Sequence, residues 1–289
     1  MELEGHVFPA EKFKLIVKKL IGESIITGKD IVEPTPPPKE DLLLIHSEEY
    51  LSDFINKKWT WRTLYSELPL NDTIVKGFIL MAGGTYLASK YALEDGIGYH
   101  VGGGFHHAYP DHAEGFCYIN DIAFAIRKLQ KENIIKKAAV IDCDLHQGNG
   151  TAKIFQKDSS VFTFSIHQEY LYPFPKEESD WDIGLMDGTE DEEYIKRLKE
   201  AVPKIYENHK PDLVIYQAGA DPYMDDQLGN LMLTKEGLME RDRIVLNEAF
   251  KRKIPVTITL GGGYARKVED TVEIHVNTVK VALSLLKGE

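Results

Sequence analysis

The run Val140-Ile141-Asp142-Cys143-Asp144-Leu145-His146-Gln147-Gly148-Asn149-Gly150 places two carboxylates and an imidazole at the end of an apolar stretch. Alternate side chains of an extended strand share a face, so Asp142, Asp144 and His146 point the same way for as long as the strand lasts. Buried carboxylates are costly unless they are paired or bind a metal. A lone Asp-x-His arises often by chance, whereas Asp-x-Asp-x-His followed by Gly-x-Gly at a strand end is a far stronger pattern. A second apolar run, Val214-Ile215-Tyr216-Gln217-Ala218-Gly219-Ala220-Asp221, ends in another carboxylate. Taken alone, Asp221 also reads as a helix cap ahead of Pro222. Together Asp144, His146 and Asp221 fill three positions of a catalytic zinc and leave one open for water and substrate. Oxygen-rich ligation suits Fe(II), Mn or Co as well, so the pattern defines a divalent site more sharply than it defines the ion.

Two further segments carry chemistry. Val101-Gly102-Gly103-Gly104-Phe105-His106-His107 puts adjacent histidines after a run of glycines, which let a backbone approach its neighbours closely. Adjacent residues diverge on a strand, so His106 and His107 must lie on a turn to converge on one substrate; the bland alternative is a surface pair. Leu260-Gly261-Gly262-Gly263-Tyr264 ends a further apolar run. Tyr264 reads either as a packing residue or as a hydroxyl aimed at a reacting carbonyl.

These residues must be held by elements, and the chain supplies them in alternation. Short apolar runs at Leu42–Ile45, Ala138–Asp142, Val161–Ile166, Leu213–Tyr216 and Val256–Leu260 read as strands. Between them lie helical patterns: Ile119, Ile122, Ala123, Ile126 and Leu129 would line one helical face, and Thr234 offers an N-cap for a helix running toward Lys251. Such alternation predicts an α/β fold of three layers, with a mostly parallel central sheet and helices on both faces. Ligands of such sheets bind beyond the carboxyl ends of the strands, where the polar residues above fall. The Pro-rich stretch Glu33–Lys39 reads as an extended surface loop within one domain spanning residues 1–289.

Composition narrows the class. A net charge of −12 argues against nonspecific nucleic-acid binding and would suit a cationic substrate, although solubility alone also accounts for an acidic surface. Two cysteines, Cys117 and Cys143, imply no disulfide framework. No apolar run has the length of a membrane span, and the first residues lack the basic and apolar regions of a signal peptide. The expectation is a cytoplasmic protein with no membrane and no nucleic-acid partner; the oligomeric state is left open.

Together these segments resemble the zinc-dependent histone deacetylase family. Val101–His107, Gly115–Cys117, Asp142–Gly150, Gly219–Asp221 and Gly261–Tyr264 match its motifs in order, over almost the whole chain. His6-Val7-Phe8-Pro9, Gly188–Tyr194 and Leu228–Asp242 look closest to the class IV branch. The resemblance implies an arginase/deacetylase-type fold and hydrolysis of N-acyl-lysine amides, acetyl or longer, on proteins or peptides. By the same resemblance Asp144, His146 and Asp221 match the metal ligands, His106 and His107 the paired histidines, and Tyr264 the carbonyl-polarising tyrosine. Asp142 stands behind His106. Asn149 stands behind His107, where class I enzymes carry Asp, which should leave His107 less basic. Gly115 and Phe116 match one wall of a substrate tunnel and Tyr172 the facing aromatic. A potassium ion is expected beside the zinc, at Asp142, Asp144, His146, Ser165 and Ile166, mostly through backbone oxygens.

Some features depart from the family pattern. Family chains begin with a short strand ahead of the His6–Pro9 segment, so one sheet edge should be absent or differently covered. The rim carboxylate of class I enzymes has no assigned counterpart near Asn71 and Asp72, and Trp59-Thr60-Trp61-Arg62 either forms the rim or packs down its loop. No long tail suited to corepressor recruitment is seen, which favours a free-standing enzyme. Three rivals remain. An arginase-like ureohydrolase needs two metals, yet Gly148 sits where a further Asp would be expected. An acetylpolyamine amidohydrolase shares the chemistry and differs at the rim. A non-catalytic acyl-lysine-binding module would lack a ligand or Tyr264.

Overall fold

A computed structural model describes residues 6–287. In chain order its elements are α1 (Glu11–Gly22), α2 (Lys39–Leu42), α3 (Glu48–Ile55), α4 (Trp61–Leu64), α5 (Asp72–Asp95), β1 (Ile97–Tyr99), α6 (Asp121–Lys131) and β2 (Ala138–Asp142). There follow α7 (Asn149–Phe155), β3 (Val161–Gln168), β4 (Trp181–Leu185), α8 (Asp191–His209), β5 (Leu213–Gln217), α9 (Lys235–Arg252), β6 (Val256–Thr259) and α10 (Val268–Lys287). The six strands form one sheet in the order β1-β6-β5-β2-β3-β4, and every pairing is parallel.

Burial follows from that geometry. Strands β2, β5 and β6 are buried at every residue, as expected where helices cover both faces of a parallel sheet. One face packs against α3, α5 and α6 through Tyr50, Phe54, Phe78, Ile122 and Ile126. The other packs against α8, α9 and α10 through Tyr194, Leu198, Ile205, Val245 and Ile274. A smaller cluster joins α1 to α10 through Ile16, Leu20, Val272 and Val276. The expected helical face of α6 is wholly buried, with Phe124 and Ala125 buried beside it. Thr234 caps α9 by accepting from the Gly237 amide at 2.9 Å.

The strand expectations need correction in two respects. Leu42–Ile45 is the end of the short helix α2 and the turn after it. Pro38 starts that turn, and Leu42 and Ile45 are buried while Leu43 is exposed, a spacing of three that belongs to a helical turn. Strands β1 and β4 went unpredicted because β1 has only three residues and β4 buries only its last, Leu185. β1 forms one edge of the sheet and packs against α5; the segment expected to alter that edge lies partly in residues 1–5, outside the described residues. The Pro-rich loop runs extended across α5, so close that a Cβ on Gly83 would stand 2.1 Å from the Thr35 carbonyl oxygen.

β2 and β5 are neighbours at the centre, but the chain leaves β2 toward β3 and leaves β5 toward β6. A crevice therefore opens beyond their carboxyl ends, where the loops diverge. Arg241 of α9, fully buried, ties those loops together: its guanidinium donates to the carbonyls of Cys143 and Gly219 and pairs with Asp242. Asp242 also accepts from the hydroxyls of Tyr216 at 2.5 Å and Thr278 at 2.6 Å. Removing one partner of such a network leaves a buried charge uncompensated. Arg241→Met should lower unfolding stability by about 3–5 kcal/mol, read from urea denaturation; a loss under about 1 kcal/mol would mean the loops hold themselves.

Candidate active site

The loop after β2 does not continue the strand, which stops at Asp142. It bends so that Asp144 and His146 meet Asp221, which follows β5. His146 Nδ1 lies 3.3 Å from Asp144 Oδ1 and 3.2 Å from Asp221 Oδ2. Among the described residues this is the one group of His, Cys, Asp and Glu whose potential ligand atoms all lie within 4.8 Å of one another. Backbone amides fix each carboxylate: Gly262 and His146 donate to Asp144 at 2.7 and 3.0 Å, and Leu145 donates to Asp221 at 3.0 Å. Gly262 must be glycine, because a Cβ there would stand 1.9 Å from Asp221 Oδ2. Burial alone would push His146 down, but hydrogen bonds and charge from Asp144 and Asp221 lift it to about 10. Two buried carboxylates thus call for positive charge between them, and a divalent ion fits that donor set.

The paired histidines sit on a turn after Gly102, Gly103 and Gly104, all at positive φ, and their ring centroids are 4.1 Å apart. Asp121, at the start of α6, holds that turn by accepting from the amides of Gly104 and Phe105. The two rings have different partners. His106 Nδ1 meets Asp142 Oδ2 at 2.7 Å, whereas His107 Nδ1 meets Asn149 Oδ1 at 2.6 Å. Burial works against charge on His106, yet the carboxylates of Asp142 and Asp144 outweigh it and raise it to about 9. His107 is driven well below the ordinary histidine value by burial, then by the neighbouring charges of His106 and His146. With only a neutral amide behind it, His107 has no carboxylate in direct contact to oppose that.

Tyr264 is almost fully buried, and burial followed by the charges of Asp221 and Asp144 raises its hydroxyl well above 10. The phenol therefore keeps its proton and can only offer it as a hydrogen bond. Asp226 anchors the backbone by accepting from the Tyr264 amide at 2.7 Å. Beneath the same turn lies Lys12 of α1, with no solvent exposure, donating to the Gly261 carbonyl at 2.8 Å and packed among the rings of Phe8, Phe13 and Tyr264. Burial lowers it to about 8 against the pull of Asp221, Asp144 and Asp226. Sequence reasoning missed both Lys12 and Asp226. For Lys12 the signal was present: it falls on the Lys12–Ile16–Leu20 stripe, the buried face of α1.

Two adjoining chambers lie at this centre. Phe8, Phe13, Gly104, His106, Asp144 and Gly262 line the inner one. Glu67, Leu171, Tyr172 and Leu228 line the outer one, and His107, Gly115, Phe116, His146 and Tyr264 border both. Tyr172 lies against the Gly115–Phe116 wall; a Cβ on Gly115 would stand 2.7 Å from the Tyr172 hydroxyl. Segment 61–66 backs that wall, with Tyr65 and Ser66 carbonyls accepting from the Gly115 and Phe116 amides, while Trp59 and Trp61 stay about half exposed. Asn71 is the N-cap of α5 and Asp72 pairs with Lys57, so neither lies at the mouth; the carboxylate there is Glu67. Ser165 of β3 pairs in register with Asp142, with Ile166 next along the strand. Gly148 leaves no room for the extra carboxylate of a two-metal site, since a Cβ there would stand 2.4 Å from Asp142 Oδ2.

Comparison with known proteins agrees with this geometry. The model of the histone deacetylase domain matches residues 6–279. An uncharacterised protein of Picosynechococcus sp. is 37% identical over 273 residues, covering 94% of this chain and 91% of that protein. Histone deacetylase 2 of Arabidopsis thaliana is 33% identical over 282 residues, covering 93% of this chain and 73% of that protein. The fold superposes on the crystal structure of a histone deacetylase homologue complexed with SAHA with a TM-score of 0.82, at 24% identity, covering 99% of this chain and 84% of the other. With a family match over nearly its whole length and a buried Asp-His-Asp group at the mouth of a parallel sheet, the chain belongs to the histone deacetylase family of hydrolases.

Proposed function

We propose that this protein is a single-domain, zinc-dependent deacylase, nearest the class IV branch, that hydrolyses the amide of N-acyl-lysine on proteins or peptides. The observation that carries the proposal is the convergence of Asp144, His146 and Asp221 within 4.8 Å at the inner end of a chamber walled by Phe116 and Tyr172. That shape suits a slender aliphatic stem ending in an amide. A zinc ion held by these three residues would polarise the acyl carbonyl and acidify a water.

The side chains divide the remaining work. His107, neutral and outside the ligand set, takes the proton of the attacking water and returns it to the leaving amine. His106, backed by Asp142, holds the water and offers a fixed positive charge as the oxyanion develops. Tyr264 donates its hydroxyl to the same oxygen. Phe116 and Tyr172 exclude water from the stem. We extend the proposal to a potassium ion at the ends of β2 and β3, held by Asp142, Asp144, His146, Ser165 and Ile166, mostly through backbone oxygens; the parallel register of Asp142 with Ser165 supports it. Among the described residues no helix is long and apolar enough to cross a membrane, and both cysteines are free and buried, which suits a reducing cytoplasm.

Glu67 at the mouth favours a second reading, acetylpolyamine hydrolysis, since a carboxylate there would receive an ammonium as readily as a peptide amide. Turnover of acetyl-lysine peptides, longer acyl-lysine peptides and acetylated polyamines under one condition separates the two; exclusive turnover of polyamines would overturn the lysine assignment.

Three substitutions test the site. Asp221→Ala should lose stoichiometric divalent metal, measured by elemental analysis, and with it all turnover; retained metal would remove Asp221 from the ligand set. His107→Ala should lower kcat by at least ~100-fold while metal content stays near normal; a metal-free variant would make His107 a ligand instead. Tyr264→Phe should lower kcat by roughly 100-fold with little change in KM or thermal stability, since one oxyanion donor goes and the ring stays. Near-normal turnover would leave Tyr264 a packing residue.

A further inference from the structure

Besides His107, the Asn149 side chain has two partners: its amide donates to the Tyr109 hydroxyl at 3.3 Å and to Glu114. Oε1 of Glu114 accepts from the Asn149 side-chain amide at 2.9 Å and from the Tyr172 hydroxyl at 2.7 Å. Its Oε2 lies 3.3 Å from His112 Nε2. Burial pushes this carboxyl up, but hydrogen bonds from His112, Tyr172 and Asn149 outweigh it and hold the group below the ordinary glutamate value.

The hydrogen-bond roles follow by elimination. An ionised carboxylate only accepts, so Asn149 must turn its NH2 toward Glu114 and its carbonyl toward His107. A carbonyl also only accepts, so at the 2.6 Å contact His107 must carry its proton on Nδ1. Nε2 is then left with its lone pair, the form a general base requires. Asn149 alone sets no such preference, because an amide can flip and offer His107 either end.

We propose that Glu114 is a positioning residue of this hydrolase: through the Asn149 amide it fixes the tautomer of His107 and supplies, one hydrogen bond removed, the negative charge that Asn149 lacks. The proposal rests on the reading of His107 as the base. Because the same oxygen holds Tyr172, whose ring lies 5.1 Å from that of His107, one carboxylate sets both the base and the wall that covers it.

Moving the charge between positions 114 and 149 tests this. Glu114→Gln keeps the shape and the acceptor for Tyr172 but loses the charge, and should lower kcat about tenfold with KM held within about twofold. Asn149→Asp alone sets two carboxylates side by side and should also lose activity. Asn149→Asp combined with Glu114→Gln returns a charge to His107, with the new side-chain amide at position 114 donating to it, and should recover kcat to within about threefold of the parent. A double variant better than both singles is not a packing effect. Parental kcat in Glu114→Gln, or a double variant no better than that single, overturns the proposal. His107→Ala, assayed in parallel, separates the two levels: if it keeps turnover, the base assignment itself fails, whereas if it is inactive while Glu114→Gln is unimpaired, only the role of Glu114 fails.

Discussion

Two carboxylates with almost no solvent exposure, Asp144 and Asp221, face each other across one imidazole at the centre of this molecule. Charge taken that far out of water is tolerable only with compensation on every side. Much of the surrounding architecture is explicable as that compensation. Backbone amides from two loops, those of Leu145 and His146 after β2 and of Gly262 after β6, point at the carboxylate oxygens. Arg241 pins the carbonyls of the two loops that carry them. The sheet topology makes the meeting geometrically available, since β2 and β5 are adjacent while their connections run in opposite directions.

The same electrostatic centre organises the groups around it. His106 gains positive charge from Asp142 and Asp144, and that charge helps keep His107 neutral. Tyr264 retains its proton because burial and the carboxylates oppose ionisation. Asp226 is raised to about 7 by burial and by Asp221, yet two backbone amides, those of Leu228 and Tyr264, still aim at it. Similar side chains therefore take different protonation states within one small volume, according to what stands behind each.

Much of the candidate site was legible in the sequence because its residues follow apolar runs at fixed short spacings. Asp144, His146, Asp221 and Tyr264 all sit just beyond buried strands, where periodicity is strongest. The strands β2, β3, β5 and β6 were readable for the same reason, β2 at both bounds and the others to within one or two residues at their ends. Residues acting across long chain distances were not legible. The burial of Lys12 could be read from its place on the apolar stripe of α1, but its partner Gly261, 249 positions away, could not. Glu114 reads as an ordinary polar turn residue until Asn149 and Tyr172 are brought to it. β1 escaped notice because three residues carry too little pattern, and Leu42–Ile45 misled because a short apolar run does not distinguish a strand from one buried helical turn.

The pairing of β1 with β6 joins residues 97–99 to residues 256–258, and the parts of the site are spread just as widely along the chain. Contacts of such separation form late, after the entropy of closing long loops has been overcome. On the ribosome, a nascent chain that has emerged only through the loop after β5 already holds Asp144, His146 and Asp221 but still lacks Tyr264 and the Gly262 amide that steadies Asp144. The centre is therefore completed only when the last strand docks, and an unfinished polypeptide can carry the Asp-His-Asp side chains without the backbone amide that holds one of them in place.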